Sequence, residues 1–266
     1  RYGYRNSCLF HADEQGRPGF RMRESTEVVA FPAQGCLLLP PVMREAISSL
    51  PPGALEPGGE ARARIDSFGK VHFWGLRDRV SPPDVLMEAG GYRFPVAPDA
   101  FFQVNSLLND ALMEMVVSLP VRSHRKVLDL YSGPGFFTFP LSRLAEEVVG
   151  IERHGGSHRS AQAGKRLNSL SNVSFRKGSV EKEIFRSGEA GLVVADPPRS
   201  GMPAEALRGV LRLRPEEIIM ISCEPPTLAR DASKLIEGGY ILSGLHLVDM
   251  FPSTYHMETI GLFRRS

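Results

Sequence analysis

Apolar positions come in short alternating runs over the first part of the chain and in longer, wholly apolar runs after it. Residues 7–11, 19–22, 27–31, 61–66 and 70–74 alternate at the period of half-buried strands, and 42–50 carries one helical stripe. They predict a small mixed sheet with one helix. Pro and Gly clusters at 50–59 and 81–84 exclude regular elements there. After Pro98 the pattern changes. Residues 105–119 open on a capping Asn and space Leu108, Leu112, Met115, Val116 and Leu119 as on one helix face, and 126–130 reads as a buried strand. A second helix is predicted over 137–145. Apolar strands then recur at 147–152, 172–175, 191–196 and 217–222 with helical sequence between them, and 259–263 reads as a last strand. Strands alternating with helices in this way predict an α/β fold with a doubly wound, mostly parallel sheet over 98–266, and a smaller N-terminal mixed α+β domain over 1–97.

Composition changes this picture little. The 266 residues are 42% apolar and 23% charged, ordinary globular usage that excludes a disordered chain or a coiled coil. The longest uncharged stretch, 28–43, holds Pro32, Pro40 and Pro41, so no membrane span is expected. Cys8, Cys36 and Cys223 are too few and too scattered for a disulfide framework, which points to a reducing, cytoplasmic setting. No signal peptide opens the chain, and since it begins with Arg1 a further N-terminal piece is expected upstream. Net charge is +2, but 153–186 holds eight Lys and Arg against Glu181 and Glu183. That stretch suits a phosphate backbone, or a solvated helix face.

The strand at 126–130 runs into Tyr131-Ser-Gly-Pro-Gly-Phe136 and then a helix. Gly133 and Gly135 lack the Cβ atoms that would keep a ligand away from the loop backbone, although a plain tight turn has the same form. The next strand ends at Glu152, 23 residues after Asp129, where a carboxylate can accept from the two hydroxyls of a ribose. The third glycine of a dinucleotide loop is missing, with Thr138 in its place, and Asp129 would repel a pyrophosphate but suits an ammonium. S-adenosylmethionine therefore fits better than a dinucleotide.

Two further strand ends carry chemistry. Cys223 follows the strand 217–222, at the edge where open sheets hold ligands; it is a candidate nucleophile, or inert packing. Asp196-Pro-Pro-Arg199 ends the neighbouring strand, with Asp196 able to orient a planar NH-bearing ring or to cap a helix. Near the C-terminus Glu258, read as a loop residue before the last strand, is either a general base beside the thiol or an exposed turn residue.

Phe101-Phe-Gln-Val-Asn105, Asp129-Leu-Tyr-Ser-Gly-Pro-Gly135, Asp196-Pro-Pro-Arg199, Ser222-Cys-Glu-Pro-Pro-Thr-Leu-Ala-Arg-Asp231 and Asp249-Met-Phe-Pro with His256-Met-Glu258 stand in the order and spacing of one family. The chain resembles the RNA uracil-5-methyltransferases, the bacterial 23S ribosomal RNA and transfer RNA 5-methyluridine enzymes. The likeness covers the catalytic half and, more weakly, Tyr2 to Cys36. It implies a Rossmann-like, S-adenosylmethionine-dependent domain that makes 5-methyluridine in RNA, ribosomal RNA ahead of transfer RNA. Cys223 would be the nucleophile and Glu258 the base. Gln103, Tyr131, Gly133, Gly135, Glu152, Ser179 and Asp196 would line the cofactor and target-base pocket.

By the same resemblance Asp196 would hold the uracil edge. Phe101 would stack on the extruded base or else pack in the core, and Arg199 and Arg230 would touch phosphate or ring or else form structural ion pairs. Residues 1–97 would contribute to RNA binding, and a monomer is expected. The chain departs from the family at Ser132 and Phe136, where relatives often have Cys and Asn, which puts one polar cofactor contact in doubt. Some relatives carry an RNA-binding β-barrel and a four-cysteine iron–sulfur cluster. Cys36 falls at the fourth cysteine and Cys8 at none, so no metal site is expected here and a cluster only if upstream cysteines exist. Two alternatives are a cytosine-C5 methyltransferase, against which Cys223 follows Ser222 rather than a proline, and a non-catalytic RNA-binding protein, which has no use for both Cys223 and Glu258.

Overall fold

Alternating inward side chains build the first sheet. In the computed structural model, which describes residues 2–77 and 84–266, β1 (Ser7–Ala12), β2 (Pro18–Arg21), β3 (Val28–Ala30), β4 (Glu60–Ile65) and β5 (Val71–Trp74) pair antiparallel in the order β3-β2-β1-β4-β5. Cys8, Phe10, Ala61, Ala63 and Phe73 point to one face and close on Met43 and Ile47 of α1 (Pro41–Ser48), four residues and one helical turn apart. Arg1 and 81–83 of the predicted Pro-rich break lie outside the described residues.

The chain folds as two compact units, one of Arg1–Met87 with Gln103–Leu107, the other of Glu88–Phe102 with Leu108–Ser266. β6 (Val85–Ala89) and β7 (Tyr92–Val96) pair around Gly90 and Gly91, both at positive φ as a tight hairpin turn requires. In the second unit the helices are α2 (Asn109–Ser118), α3 (Thr138–Leu141), α4 (Gly155–Leu167), α5 (Val180–Glu183), α6 (Ala204–Leu213) and α7 (Pro225–Glu237). The strands are β8 (His124–Leu130), β9 (Ala145–Glu152), β10 (Val173–Lys177), β11 (Leu192–Ala195), β12 (Glu217–Ser222), β13 (Tyr240–Val248) and β14 (Glu258–Arg265). They form a seven-stranded sheet ordered β10-β9-β8-β11-β12-β14-β13. The first five are parallel, β14 runs against β12, and β13 runs against β14. This is the α/β, Rossmann-like architecture expected from the strand spacing.

On one face Leu128, Val193, Ile218, Met220 and Phe263 pack under Leu207 and Val210 of α6 and Leu228 and Leu235 of α7. Elsewhere in this unit Phe94, Phe102, Phe136 and Phe139 form a ring cluster, with Phe94 stacked on Phe139 at 5.0 Å and Phe102 set edge-on to Phe136 at 5.5 Å. Strand order reverses at β8, between β9 and β11, so the crevice for a ligand opens at the C-terminal ends of these strands. Among the described residues no helix is long and apolar enough to cross a membrane.

Three sequence expectations are corrected. α2 begins at Asn109, because Asn105 bridges to Arg5 and its Oδ1 accepts from the Leu107 amide at 3.2 Å, which spends it on a turn. The helix expected over 137–145 is one turn of α and one of 3-10, because Asn172 Nδ2 donates to the Ser142 and Ala145 carbonyls at 2.9 Å and ends it early. Glu258 is the first residue of β14 and buried, not part of the preceding loop.

At the opposite end of the β12–β14 ladder, Glu217 is 5% exposed and accepts from the Val121 amide at 3.2 Å, from His124 Nε2 at 3.1 Å and from Arg264 Nε at 3.1 Å. One carboxylate thus ties β8, β12 and β14. Glu217→Ala strands these donors in a dry site, and urea unfolding should register a loss of about 3 kcal/mol. A loss below about 1 kcal/mol would show the ladder holding without it.

Candidate active site

The cofactor end of the site is backbone geometry. Tyr131, Gly133 and Gly135 all take positive φ, so the chain turns sharply after β8 and presents amides at the sheet edge. A Cβ at Gly133 would meet open space, whereas one at Gly135 would strike the Phe139 ring. Gly133 faces the crevice and Gly135 the core. Glu152 Oε2 accepts from the Gly133 amide at 2.8 Å and Oε1 from the His154 amide at 2.5 Å, which fixes the carboxylate at the lip. Tyr131, Glu152, Ser179, Pro198 and Gly201 line a cleft of about 420 Å³ there.

Beneath the loop Asp129 is fully buried. Its Oδ2 accepts from Thr138 Oγ1 at 2.5 Å, while Oδ1 and the Tyr131 hydroxyl are buried with no protein partner. Burial lifts the Asp129 carboxyl to about 7, with Asp196 and Glu152 adding to the rise and Thr138 opposing it.

The chemical end is set by strand register. Ser222 pairs with Thr259 across β12 and β14, and Thr259 Oγ1 donates to the Ser222 carbonyl at 2.9 Å. One step further out along the two chains stand Cys223 and Glu258, and the charge of Glu258 acts on the thiol. After Cys223 the chain turns at once into α7, locked by Thr227 Oγ1 on the Glu224 carbonyl at 2.8 Å and by Pro225 at the first helical position. Cys223 is half-buried and Glu258 is 3% exposed.

Burial, then Asp196, pushes Glu258 up to about 8, and burial pushes Asp196 to about 7. The Cys223 thiol is raised too, by burial first and then by Glu258 and Asp196, while Arg199 pulls it down. Asp196 thus raises both Glu258 and Asp129, since like charges at one dry edge cannot all ionise.

Cys223, Glu258, Asp196 and Arg199 are thus brought together, and Tyr131, Glu152 and Ser179 share the neighbouring cleft. Phe101 is 59% exposed, on a segment held by Ser160 Oγ accepting from the Ala97 amide at 2.9 Å and by His154 Nε2 facing Asp99 Oδ2 at 3.4 Å. Gln103 belongs to the first unit, where its carbonyl accepts from Asn6 Nδ2 at 2.8 Å. Arg230 is paired with Asp231, and its Nη2 donates to the Ser200 carbonyl at 2.9 Å, so it clamps the loop after β11. The sequence alone gives no role to Thr138, Asp99 or His256. His256 lies two residues before Glu258 in a motif already quoted, which was the available signal.

The model of the tRNA (Uracil-5-)-methyltransferase family matches residues 85–187 and 183–266, well over half of the chain. The chain belongs to this family. Among members, the 23S rRNA (uracil(1939)-C(5))-methyltransferase of Edwardsiella ictaluri is 39% identical over 198 residues, 71% of this chain and 45% of that protein. An RNA methyltransferase of Aquifex aeolicus is 38% identical over 201 residues, 74% of this chain and 47% of that one. The chain therefore spans about half the length of the curated relatives it matches. The crystal structure of the Pyrococcus abyssi tRNA (uracil-54, C5)-methyltransferase in complex with S-adenosyl-L-homocysteine shares the fold, at a TM-score of 0.81 and 21% identity, covering 98% of this chain and 76% of that one. Among the described residues no group of three or more His, Cys, Asp or Glu side chains is placed to hold a metal ion.

For this family member the raised carboxyls carry a stability signature. Glu258 unfolded titrates near the ordinary value of about 4.3 and folded near 8, so its penalty is absent at low pH and grows as pH rises through that window. Glu258→Gln removes the titration. In denaturation series the variant should gain about 3 kcal/mol on the parent between pH 5 and 8. A pH-independent difference would place Glu258 in the ordinary range.

Proposed function

We propose that this chain carries the catalytic machinery of an S-adenosylmethionine-dependent RNA uracil-C5 methyltransferase. The observation that carries the reading is that Cys223 and Glu258 each adjoin the Ser222–Thr259 pair at the end of the β12–β14 ladder, with Glu258 and Asp196 both acting on the thiol. Ribosomal RNA is put ahead of transfer RNA because relatives such as the Edwardsiella protein are named for it.

The residues present fit the cofactor. Glu152 would accept from ribose hydroxyls, Gly133 leaves room at the lip, Tyr131 and Ser179 line the cleft, and the orphan Asp129 Oδ1 is an acceptor beneath it. When bound, S-adenosylmethionine supplies a methyl group on a sulfonium. For Gln103 the support is the family motif alone.

Cys223 Sγ adds to C6 of uracil, and the ring electrons move to C5 and O4 as an enolate. C5, now nucleophilic, would take the methyl group as its bond to the sulfonium sulfur breaks, with the neutral thioether S-adenosylhomocysteine as leaving group. Glu258 then removes the C5 proton, the enolate re-forms, and its collapse expels the Cys223 thiolate. Burial raises the Glu258 carboxyl, so in its ionised form it is a stronger base toward that proton than a solvated carboxylate. Asp196, at the end of β11, holds the uracil edge. The target base must leave its stack to enter, and exposed Phe101 offers it a ring face. Arg153, Arg159, Arg166 and Lys177 are exposed on and around α4, which suits contact with the RNA backbone.

The two catalytic roles separate under mutation. Glu258→Gln, incubated with RNA and S-adenosylmethionine, should accumulate a methylated protein–RNA adduct that survives denaturing electrophoresis, and Cys223→Ala should form none. Normal turnover by Glu258→Gln would assign the base elsewhere, and an adduct at cytosine would move the reading to a cytosine-C5 enzyme. For the cofactor, Glu152→Ala should weaken S-adenosylhomocysteine binding by about 1–3 kcal/mol in calorimetry. Unchanged affinity would remove Glu152 from the site.

A further inference from the structure

The loop between β13 and β14 is wound tightly around its own polar groups. The Thr254 amide and hydroxyl both donate to the Phe251 carbonyl, at 3.1 and 2.7 Å, and the His256 amide donates back to Thr254 Oγ1 at 3.2 Å. The His256 ring is thereby set against Tyr255, with centroids 4.0 Å apart, and edge-on to Phe251 at 5.9 Å.

Its Nε2 lies 3.0 Å from Nη2 of Arg199, on the loop that follows β11. A guanidinium only donates. Nε2 is therefore the acceptor, the imidazole is neutral, and its proton sits on Nδ1. The pair joins the loop after β11 to the loop before β14, and the charge of Arg199 acts on the half-buried thiol. Glu258 from β14 and Asp196 from the end of β11 face Cys223 with negative charge, and Arg199 faces it with positive charge.

Arg199 is exposed, and a long exposed arginine spreads over many rotamers unless something fixes it. An unfixed guanidinium delivers only an averaged field to the sulfur.

We propose that His256 is a positioning residue that holds the Arg199 guanidinium beside Cys223, so that the negative charge on the attacking sulfur is balanced as it forms. This rests on Cys223 being the nucleophile. It explains the residue two places before the base: the loop that leads into β14 delivers the acceptor that orients the cation.

The test needs neither RNA nor cofactor. Alkylation of Cys223 by iodoacetamide, followed across pH by mass spectrometry of the Cys223 peptide, reads the thiolate fraction directly. Arg199→Ala should slow alkylation near pH 7.5 about ten-fold, the effect of a thiol raised by about one pH unit. His256→Phe keeps a ring between Tyr255 and Phe251 but removes the acceptor, and should slow it about three- to ten-fold. His256→Gln, whose side-chain oxygen can take the same guanidinium proton, should recover most of the rate. The Arg199→Ala, His256→Phe double variant should be no slower than Arg199→Ala alone.

Wild-type alkylation by His256→Phe, losses that multiply in the double variant, or rescue by Phe but not by Gln would each overturn the proposal. The last pattern would make His256 a packing residue. Since no methyl transfer is measured, a chain that alkylates as described yet never methylates uracil would sink the proposed function and leave this inference standing.

Discussion

The pairing of β14 against β12 is the constraint on which the site depends. Because β14 runs antiparallel to its neighbour, its first residue, Glu258, arrives at the edge of the sheet where β8, β11 and β12 end. A parallel strand in that place would bring its last residues there, and the acid would sit at the far end of the fold. Register matters as much as direction. A slip of one residue would oppose Cys223 to Met257 or Thr259 and turn the Glu258 side chain to the other face. The ladder is pinned at both ends, by Thr259 on the Ser222 carbonyl near the thiol and by Arg264 on Glu217 at the opposite edge. The hub at Glu217 and the edge that holds Cys223 and Glu258 are two ends of one ladder.

Packing acids into that edge is costly, and the cost is put to use. Asp129, Asp196 and Glu258 are all lifted by burial, and Asp196 lifts the other two further. A solvated carboxylate would give up its proton near pH 4 and would be a poor acceptor from carbon. The same crowding works against the thiolate, since Glu258 and Asp196 raise Cys223. Among the described residues Arg199 is the one cation that acts against them on the thiol. On the other side of the crevice Glu152 sits at the lip with two backbone amides donating to it.

Most of the strands were legible because each is an apolar run bounded by turn residues, and the C-terminal ends of those runs carry the chemistry. What escaped was decided by partners distant in the chain. The helix after the glycine loop stops early because Asn172, some thirty residues on, takes its last carbonyls. β13 was not read as a strand: it is an edge strand with Ile241, Leu245 and Leu247 exposed, so it shows no alternation of buried and polar positions. Glu258 read as a loop residue because Pro252, Ser253 and Thr254 stand just before it, yet the ladder recruits it into β14. The sequence left Arg230 open between ligand and structural roles, and its partners are Asp231 and the Ser200 carbonyl. The contact of Arg199 with His256 joins residues 57 apart and leaves no local pattern to find.

The departure at Phe136 can be understood in these terms. A polar residue at that point of the glycine loop would turn toward a ligand, but Phe136 is 4% exposed and lies among Phe94, Phe102 and Phe137, with Phe102 edge-on at 5.5 Å. Phe102 directly follows Phe101, whose ring is exposed. The loop that shapes the cofactor cleft is therefore packed against the residue next to the one proposed to meet the target base. Ring clusters of this kind are close-packed and do not deform continuously. A displacement of the glycine loop would have to move Phe136, and with it Phe102. What the loop gives up in one polar contact it gains in a mechanical link between the two halves of the crevice, a link that a small polar side chain at position 136 could not make.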